Sequence, residues 1–273
     1  MQSAVNRGWL HEPYRLFHSK DKRDMDFDAH FHEFHKIVFC LNGSVMYAME
    51  GHTFNLEPGD ILIIPAHCIH RSAIRSREEY ERMILWINDD FLRSFEEKAL
   101  TDIFDAASYG FFRPDPYHRN ELTEILTGVE QAWGDSYQGH ALMAQAYLLQ
   151  FLIRLSGYLD AKASPQREDV RSDPRMTEIL LYINDTLTEK IRVEDLAERF
   201  YISPSYLMQT FREYTGCSVH QYIIQKRLIL ASQQIREGIP VLEAADNAGF
   251  GDYSSFLKAF RRAYGCAPRQ IRG

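Results

Sequence analysis

Residues 193–266 carry one pattern twice. Val193, Leu196, Ala197, Phe200 and Ile202 recur 48 positions later as Val241, Ala244, Ala245, Ala248 and Phe250. Leu207, Phe211, Arg212, Gly216 and Cys217 recur 49 positions later as Phe256, Phe260, Arg261, Gly265 and Cys266. A short helix, a tight turn and a second helix make a helix-turn-helix unit, and the repeat predicts two of them. The one-residue slip falls in the turn. In the first unit, residues 194–200 read as the supporting helix. Ser203-Pro204 reads as an N-cap followed by proline at the first helical position, opening a helix over 204–214. In the second unit Gly251-Asp252 makes the turn, and Asp252 caps a helix from Tyr253.

Helical spacing turns Leu207 and Phe211 inward, with Phe256 and Phe260 as their counterparts. Ser205, Tyr206, Met208, Gln209 and Arg212 then face outward in the first unit, and Ser254, Ser255, Lys258, Arg261 and Arg262 in the second. A recognition helix presents such residues to the major groove. We expect base-edge contacts from Ser205, Gln209, Ser254 and Lys258. Arg212, Arg261 and Arg262 are expected on phosphates, which position without specifying. Any one of these residues is equally well explained as a solvated helix face; the doubled unit is not. Between the units, 219–236 is a run of good helix formers closed by Gly238 and Pro240. Eighteen helical residues span about 27 Å, close to the roughly 34 Å of one DNA turn, so the two second helices can reach successive major grooves.

The net charge of −7 argues against a nucleic-acid partner only on average. Residues 172–273 hold 13 basic and 12 acidic residues, whereas 1–171 hold 18 and 26. From Tyr253 onward there are Lys258, Arg261, Arg262, Arg269 and Arg272 and no acid, and local charge governs phosphate contact. Cys40, Cys68, Cys217 and Cys266 show no C-x-x-C spacing, and two occupy equivalent repeat positions, which suggests packing. We expect reduced thiols in a cytoplasmic protein, with no apolar signal core over residues 1–10 and no membrane-spanning run.

The first half reads differently. Residues 1–27 are uninformative. Strands are expected over 30–41, 45–49, 53–56, 61–64, 71–76 and 81–87, separated by Asn42-Gly43, Glu50-Gly51, Pro58-Gly59 and Pro65. Short strands with close turns imply a sandwich or small barrel. Helical spacing follows over 89–100. Pro114 and Pro116 read as a break, and helices over 120–133 and 139–159 form a hairpin that covers the sheet and serves as a dimer seam. Residues 161–174, polar and bounded by prolines, read as a linker.

Residues 175–272 resemble the DNA-binding domain of AraC/XylS-family bacterial transcription regulators, on the run from Ala244 through AADNAGFGDYSSFLKAFRRAYGCAPRQIR. The resemblance implies binding to asymmetric DNA sites, as a monomer or as a dimer on repeated half-sites. One departure matters: Ser205 and Gln209 stand where the family often carries an arginine or a large aromatic, so base preference does not carry over. In the first half, His30-Phe31-His32 with Lys36 and Gly43, and later Gly59, Pro65 and His70, resembles the two motifs of the cupin barrel. There a His-x-His pair, a glutamate and a later histidine bind a metal. Lys36 holds the glutamate's place, and an ammonium repels a cation. We therefore expect no metal, cofactor or catalytic residue. Instead His30, His32, Lys36 and His70 are expected to line a polar, partly cationic pocket for a sugar or organic acid, although each histidine is equally well read as a hydrogen-bonded barrel residue. His35, His52 and His67 read as surface or structural.

The sequence thus predicts an α+β multidomain chain. A cupin-like sensing β-barrel (1–118) precedes a helical dimerisation hairpin (119–160), a linker (161–174) and an all-α half with two helix-turn-helix units (175–273). Its expected partners are promoter DNA, a small-molecule effector, a second copy and RNA polymerase. The rival expectation is a metal-dependent cupin enzyme carrying a DNA-binding tail.

Overall fold

The computed structural model describes residues 10–21, 25–74, 78–105, 110–161 and 170–271. Among these residues ten strands form two five-stranded sheets. The strands are β1 (Tyr14–Asp21), β2 (Met25–Asp26), β3 (His35–Asn42), β4 (Val45–Met49), β5 (His52–Leu56), β6 (Ile61–Ile64), β7 (His70–Ile74), β8 (Tyr80–Ile87), β9 (Gly110–Phe112) and β10 (Val170–Ser172). The first sheet runs β1-β8-β3-β6-β9 and the second β10-β5-β4-β7-β2, and the ladders are antiparallel.

Alternation along the strands sorts residues to two sides of the first sheet. Ile37, Phe39, Ile61, Ile63, Met83, Leu85 and Ile87 point outward into a core shared with the helical hairpin α3 (Pro116–Gly134) and α4 (His140–Ala161). Val38, Cys40, Leu62 and Ile64 point the other way, onto Val45, Tyr47, Met49, Phe54 and Leu56 of the second sheet. Each fully buried Leu, Ile or Phe here stabilises the fold by roughly 1.5–3 kcal/mol.

Several expectations require correction. The opening residues are not featureless: β1 pairs with β8 along its whole length. Its polar Arg15, His18 and Lys20 fit an edge strand with one solvated side. The strand expected over 30–41 begins only at His35, and His30 makes an isolated bridge to His70. The helix expected over 89–100 is two short ones, α1 (Asp89–Arg93) and α2 (Lys98–Asp102), separated where Glu96 takes a left-handed φ of 53°. Pro114 lies in the non-helical stretch before α3, whereas Pro116 opens the helix rather than breaking it. Asp115 caps α3 by accepting from the Tyr117 and His118 amides, and Pro116 takes the first position, where a missing N–H costs no bond. In α4, Phe151 and Leu155 are buried, whereas Leu142 and Ile153 are exposed. Within the stretch read as linker, Val170–Ser172 pairs with β5, while 162–169 lie outside the described residues.

The second half contains α5 (Pro174–Asp185), α6 (Val193–Arg199), α7 (Pro204–Thr215), α8 (Val219–Arg236), α9 (Val241–Asn247), α10 (Tyr253–Tyr264) and a final 3-10 turn (Pro268–Ile271). Ser203 caps α7, Asp252 caps α10, and Ser218 with Gln221 forms a capping box on α8. Gly216 and Gly265 end α7 and α10 in the left-handed conformation that glycine takes without a Cβ penalty. The core of this half also takes in Phe31 and Ile69 from the first half, so the two halves share one apolar cluster.

Candidate functional site

Both helix-turn-helix units form as the repeat predicts. Leu207, Phe211, Phe256 and Phe260 are fully buried. Ser205, Tyr206, Met208, Gln209 and Arg212 on α7 are exposed, and so are Ser254, Ser255, Lys258, Arg261 and Arg262 on α10. Ser255 also completes the Asp252 cap, donating its amide to the carboxylate at 2.7 Å. The bonds from the Ser255 hydroxyl and from the Ser254 and Ser255 amides hold the Asp252 carboxyl below the ordinary carboxylate range. The helix start is thereby locked, which fixes the direction of the reading face. Cys217 is buried and Cys266 partly so, both within the packing of their units. Arg272 lies outside the described residues.

The slip in the repeat is visible in the turns. Tyr201 and Gly249 hold equivalent left-handed positions, with φ of 54° and 82°. The first unit goes from Ile202 to its cap at Ser203; the second inserts Gly251 between Phe250 and Asp252.

In the first half, the structure brings His30, His32 and His70 together. The His70 ring centroid lies 4.6 Å from that of His30 and 4.9 Å from that of His32. Each Nδ1–H donates to a backbone carbonyl, His30 to Asp28 at 2.8 Å, His32 to Phe34 at 2.6 Å and His70 to Cys68 at 3.0 Å. A carbonyl only accepts, so this tautomer leaves Nε2 as the unprotonated nitrogen. Nε2 of His32 and of His70 are buried without a hydrogen-bond partner. Burial, then the Lys36 charge (for His70, the His30 ring ranks ahead of it), pushes both imidazoles well below their ordinary range, so they are neutral. The pocket's positive charge therefore does not come from these two rings.

It comes from Lys36. On β3 this residue shares the inter-sheet side with Val38 and Cys40, pairs across the ladder with Trp86, and sits over the Tyr47 ring at 5.7 Å. Burial, reinforced by the nearby Arg82 guanidinium, lowers the Lys36 ammonium to about 7. No carboxylate among the described residues pairs with it. Arg82, by contrast, is held by Asp21 at 2.6 Å. Lys36, Ser72, Ile84 and Trp86 stay partly accessible while facing between the sheets, whereas Tyr47, Leu62 and Ile64 are sealed. The accessible residues thus lie beside sealed cross-strand neighbours, Lys36 opposite Ile64 and Ser72 opposite Tyr47. The indole Nε1 of Trp86 is a further buried donor without a partner. The sequence reading missed Trp86 and Arg82; the alternation Tyr80, Arg82, Ile84, Trp86 was the available signal.

The cupin comparison raised a metal, and the donor set does not fit one. Among the described residues no three His, Cys, Asp or Glu side chains are grouped to hold an ion, and an ammonium occupies the fourth place. His35, His52 and His67 contact protein groups outside this cluster. His35 contacts Asp89 at 3.3 Å, His52 bonds the Glu50 carbonyl at 3.1 Å, and His67 lies 3.6 Å from Glu33.

The sequence reading also missed where the halves meet. The Glu50 carboxylate accepts from Lys226 Nζ and the Tyr222 hydroxyl of α8, both at 2.7 Å. Glu33, nearly sealed, accepts from Arg236 at 2.6 Å and Ser232 at 3.3 Å, also on α8. Gln225 donates to the Ala29 carbonyl at 3.1 Å, and Phe31 packs edge-on to Tyr264 at 5.6 Å. A Cβ on Gly216 would fall on the Arg71 side chain.

This pairing of a sensing barrel with two exposed recognition helices defines a ligand-responsive transcription regulator. Residues 12–152 match the AraC-like ligand binding domain and residues 196–273 a helix-turn-helix domain, and the chain belongs to the AraC family. It is 25% identical over 259 residues to the HTH-type transcriptional activator RhaS of Salmonella heidelberg, covering 90% of this chain and 87% of that one. RhaS of Salmonella typhimurium shows the same identity and coverage. Apo ToxT of Vibrio cholerae matches 95% of this chain and 97% of its own at 14% identity, with a TM-score of 0.42. RhaS is a transcriptional activator, and with both family matches this favours the regulator over the rival expectation of a cupin enzyme. No helix among the described residues is long and apolar enough to cross a membrane.

Proposed function

We propose that the chain is a cytoplasmic regulator whose α7 and α10 read promoter DNA while a small molecule in the barrel sets how the halves are held. The observation that carries the DNA reading is exposure: every outward residue of both recognition helices stays uncovered although the halves are docked. We divide the labour as follows. Ser205, Gln209, Ser254 and Lys258 contact bases, and Arg212, Arg261 and Arg262 contact phosphates, with Tyr206, Met208 and Ser255 flanking them. The parts are the barrel to residue 118, the hairpin 119–160, the connection 161–174 and the DNA-binding half from 175.

Selection of bound sequences from a random DNA pool tests the assignment. Lys258→Ala should relax the selected consensus at one position, a loss of about 1–3 kcal/mol there. Arg262→Ala should weaken all sequences alike and lower the salt slope by about one. An unchanged consensus for Lys258→Ala would remove it from the base-reading set.

We also propose a homodimer seated on the hairpin, supported by Leu142, Met143 and Ile153 exposed on α4, with RNA polymerase as a further partner on the promoter. Leu142→Glu with Ile153→Glu should convert the dimer to monomer in sedimentation equilibrium. A wild-type protein that sediments as a monomer at micromolar concentration would dismiss the seam.

A further inference from the structure

The barrel's unpaired groups form a mixed set. Lys36 offers a cation and N–H donors, and Trp86 Nε1 offers one more donor. His32 Nε2 and His70 Nε2 offer lone pairs, because their protons are committed to the Phe34 and Cys68 carbonyls. The four are grouped around Lys36, whose charge is felt by His32 and His70 and whose cross-strand partner is Trp86. The three ring nitrogens are buried without partners, which is costly, and Lys36 lacks a paired carboxylate among the described residues, so the four together specify what completes them.

Each simpler ligand leaves part of this set unmet. A neutral sugar satisfies the imidazoles through its hydroxyls but supplies no anion to hold Lys36 in its charged form. A plain carboxylate or fatty acid neutralises Lys36 but turns oxygen lone pairs toward two imidazole lone pairs. A cation is repelled by Lys36. Resting on the sensing role proposed above, we infer that the effector is a hydroxylated carboxylic acid, of the sugar-acid or hydroxy-acid class. Its carboxylate lies on Lys36 and Trp86, and its hydroxyls donate to His32 Nε2 and His70 Nε2.

The test uses the full chain, with calorimetric titration and thermal shift. The probes are gluconate, galacturonate and lactate, the neutral partners glucose and galactose, and the hydroxyl-free acids acetate and hexanoate. We expect saturable binding and a raised Tm with at least one hydroxy acid, and at least tenfold weaker binding by its neutral and hydroxyl-free counterparts. Lys36→Met should lose at least tenfold for that acid. His70→Leu should weaken the hydroxy acid while leaving the hydroxyl-free acids unchanged. Circular dichroism and retained DNA binding confirm that both variants fold. If a neutral sugar or a hydroxyl-free acid binds as tightly as every hydroxy acid, or Lys36→Met leaves affinity intact, the ligand class is wrong while sensing stands. Stoichiometric zinc held by His32 and His70 overturns it in the same way. If no probe binds and a wider metabolite screen also leaves the Tm and DNA affinity unmoved, the class and the sensing role fall together.

Discussion

Lys36 shapes the stability of the ligand-free barrel as well as its chemistry. Its ammonium, ordinarily near 10.5, is lowered to about 7 by burial. Between those pH values the unfolded chain holds a proton that the folded chain lacks, so this residue's contribution makes stability rise with pH across that window. Below 7 both states are charged and the burial cost is felt in full. Lys36→Met should therefore raise the Tm of the free protein most at pH 6, with the gain shrinking toward pH 10; an equal gain at both ends would contradict a desolvated ammonium. His32 and His70 act near a lower pH. Their folded values lie well below the ordinary 6.5, so the unfolded chain takes up protons first and stability falls as pH drops through 6.5. Lys36 and the histidines were expected as a cluster from the resemblance of their spacing to the cupin motifs. That the two buried imidazoles are neutral acceptors was not, because it depends on which carbonyl each Nδ1 meets.

The two recognition turns solve one geometric problem with different residues. Gly249 adopts φ of 82°, and a Cβ there would meet the Thr188 backbone. Gly249→Ala should cost at least about 2 kcal/mol, from left-handed strain and the forced backbone shift, readable in urea unfolding. Tyr201 holds the same left-handed position in the first unit with its side chain 95% exposed. Tyr201→Gly should relieve about 1 kcal/mol of that strain. A loss of stability instead would mean that the ring makes a contact worth more than the strain. Elements with a strong period were legible: α8 and the strands 45–49 and 61–64 fall at the expected residues. What escaped were elements whose pairing is tertiary. β1 lacks an apolar alternation because one side is solvated, and β10 forms by pairing with the distant β5. The 89–100 segment carries helical spacing, yet Glu96 divides it.

In the molecule as a whole, the halves are joined by buried charge as well as apolar contact. Glu33→Gln removes the charged acceptor of the Arg236 bond; because Arg236 is partly exposed, the cost should be about 1–3 kcal/mol. Tyr222→Phe should cost about 1 kcal/mol through its lost bond to Glu50. Combined, they should lower the Tm and enlarge the radius of gyration in small-angle scattering. Unchanged dimensions would mean that the apolar cluster holds the halves without these bonds. None of this was legible in the sequence, where Glu33 and Glu50 read as strand or turn acids and α8 as a bare spacer. The partners lie 172 to 203 residues apart, a separation that local patterns do not reach.

The segments 31–33 and 69–70 face two ways. His32 and His70 turn into the barrel, while Phe31, Glu33 and Ile69 turn onto the DNA-binding half. Adjacent peptides thus serve both purposes, which limits how freely the halves can be exchanged. A chimera that grafts a foreign DNA-binding half onto this barrel would strand two acids and a phenylalanine in water, and a grafted barrel would leave Lys226 and Arg236 searching for anions. Such hybrids should transfer DNA specificity while losing their response to effector unless the α8 surface travels with the barrel it fits.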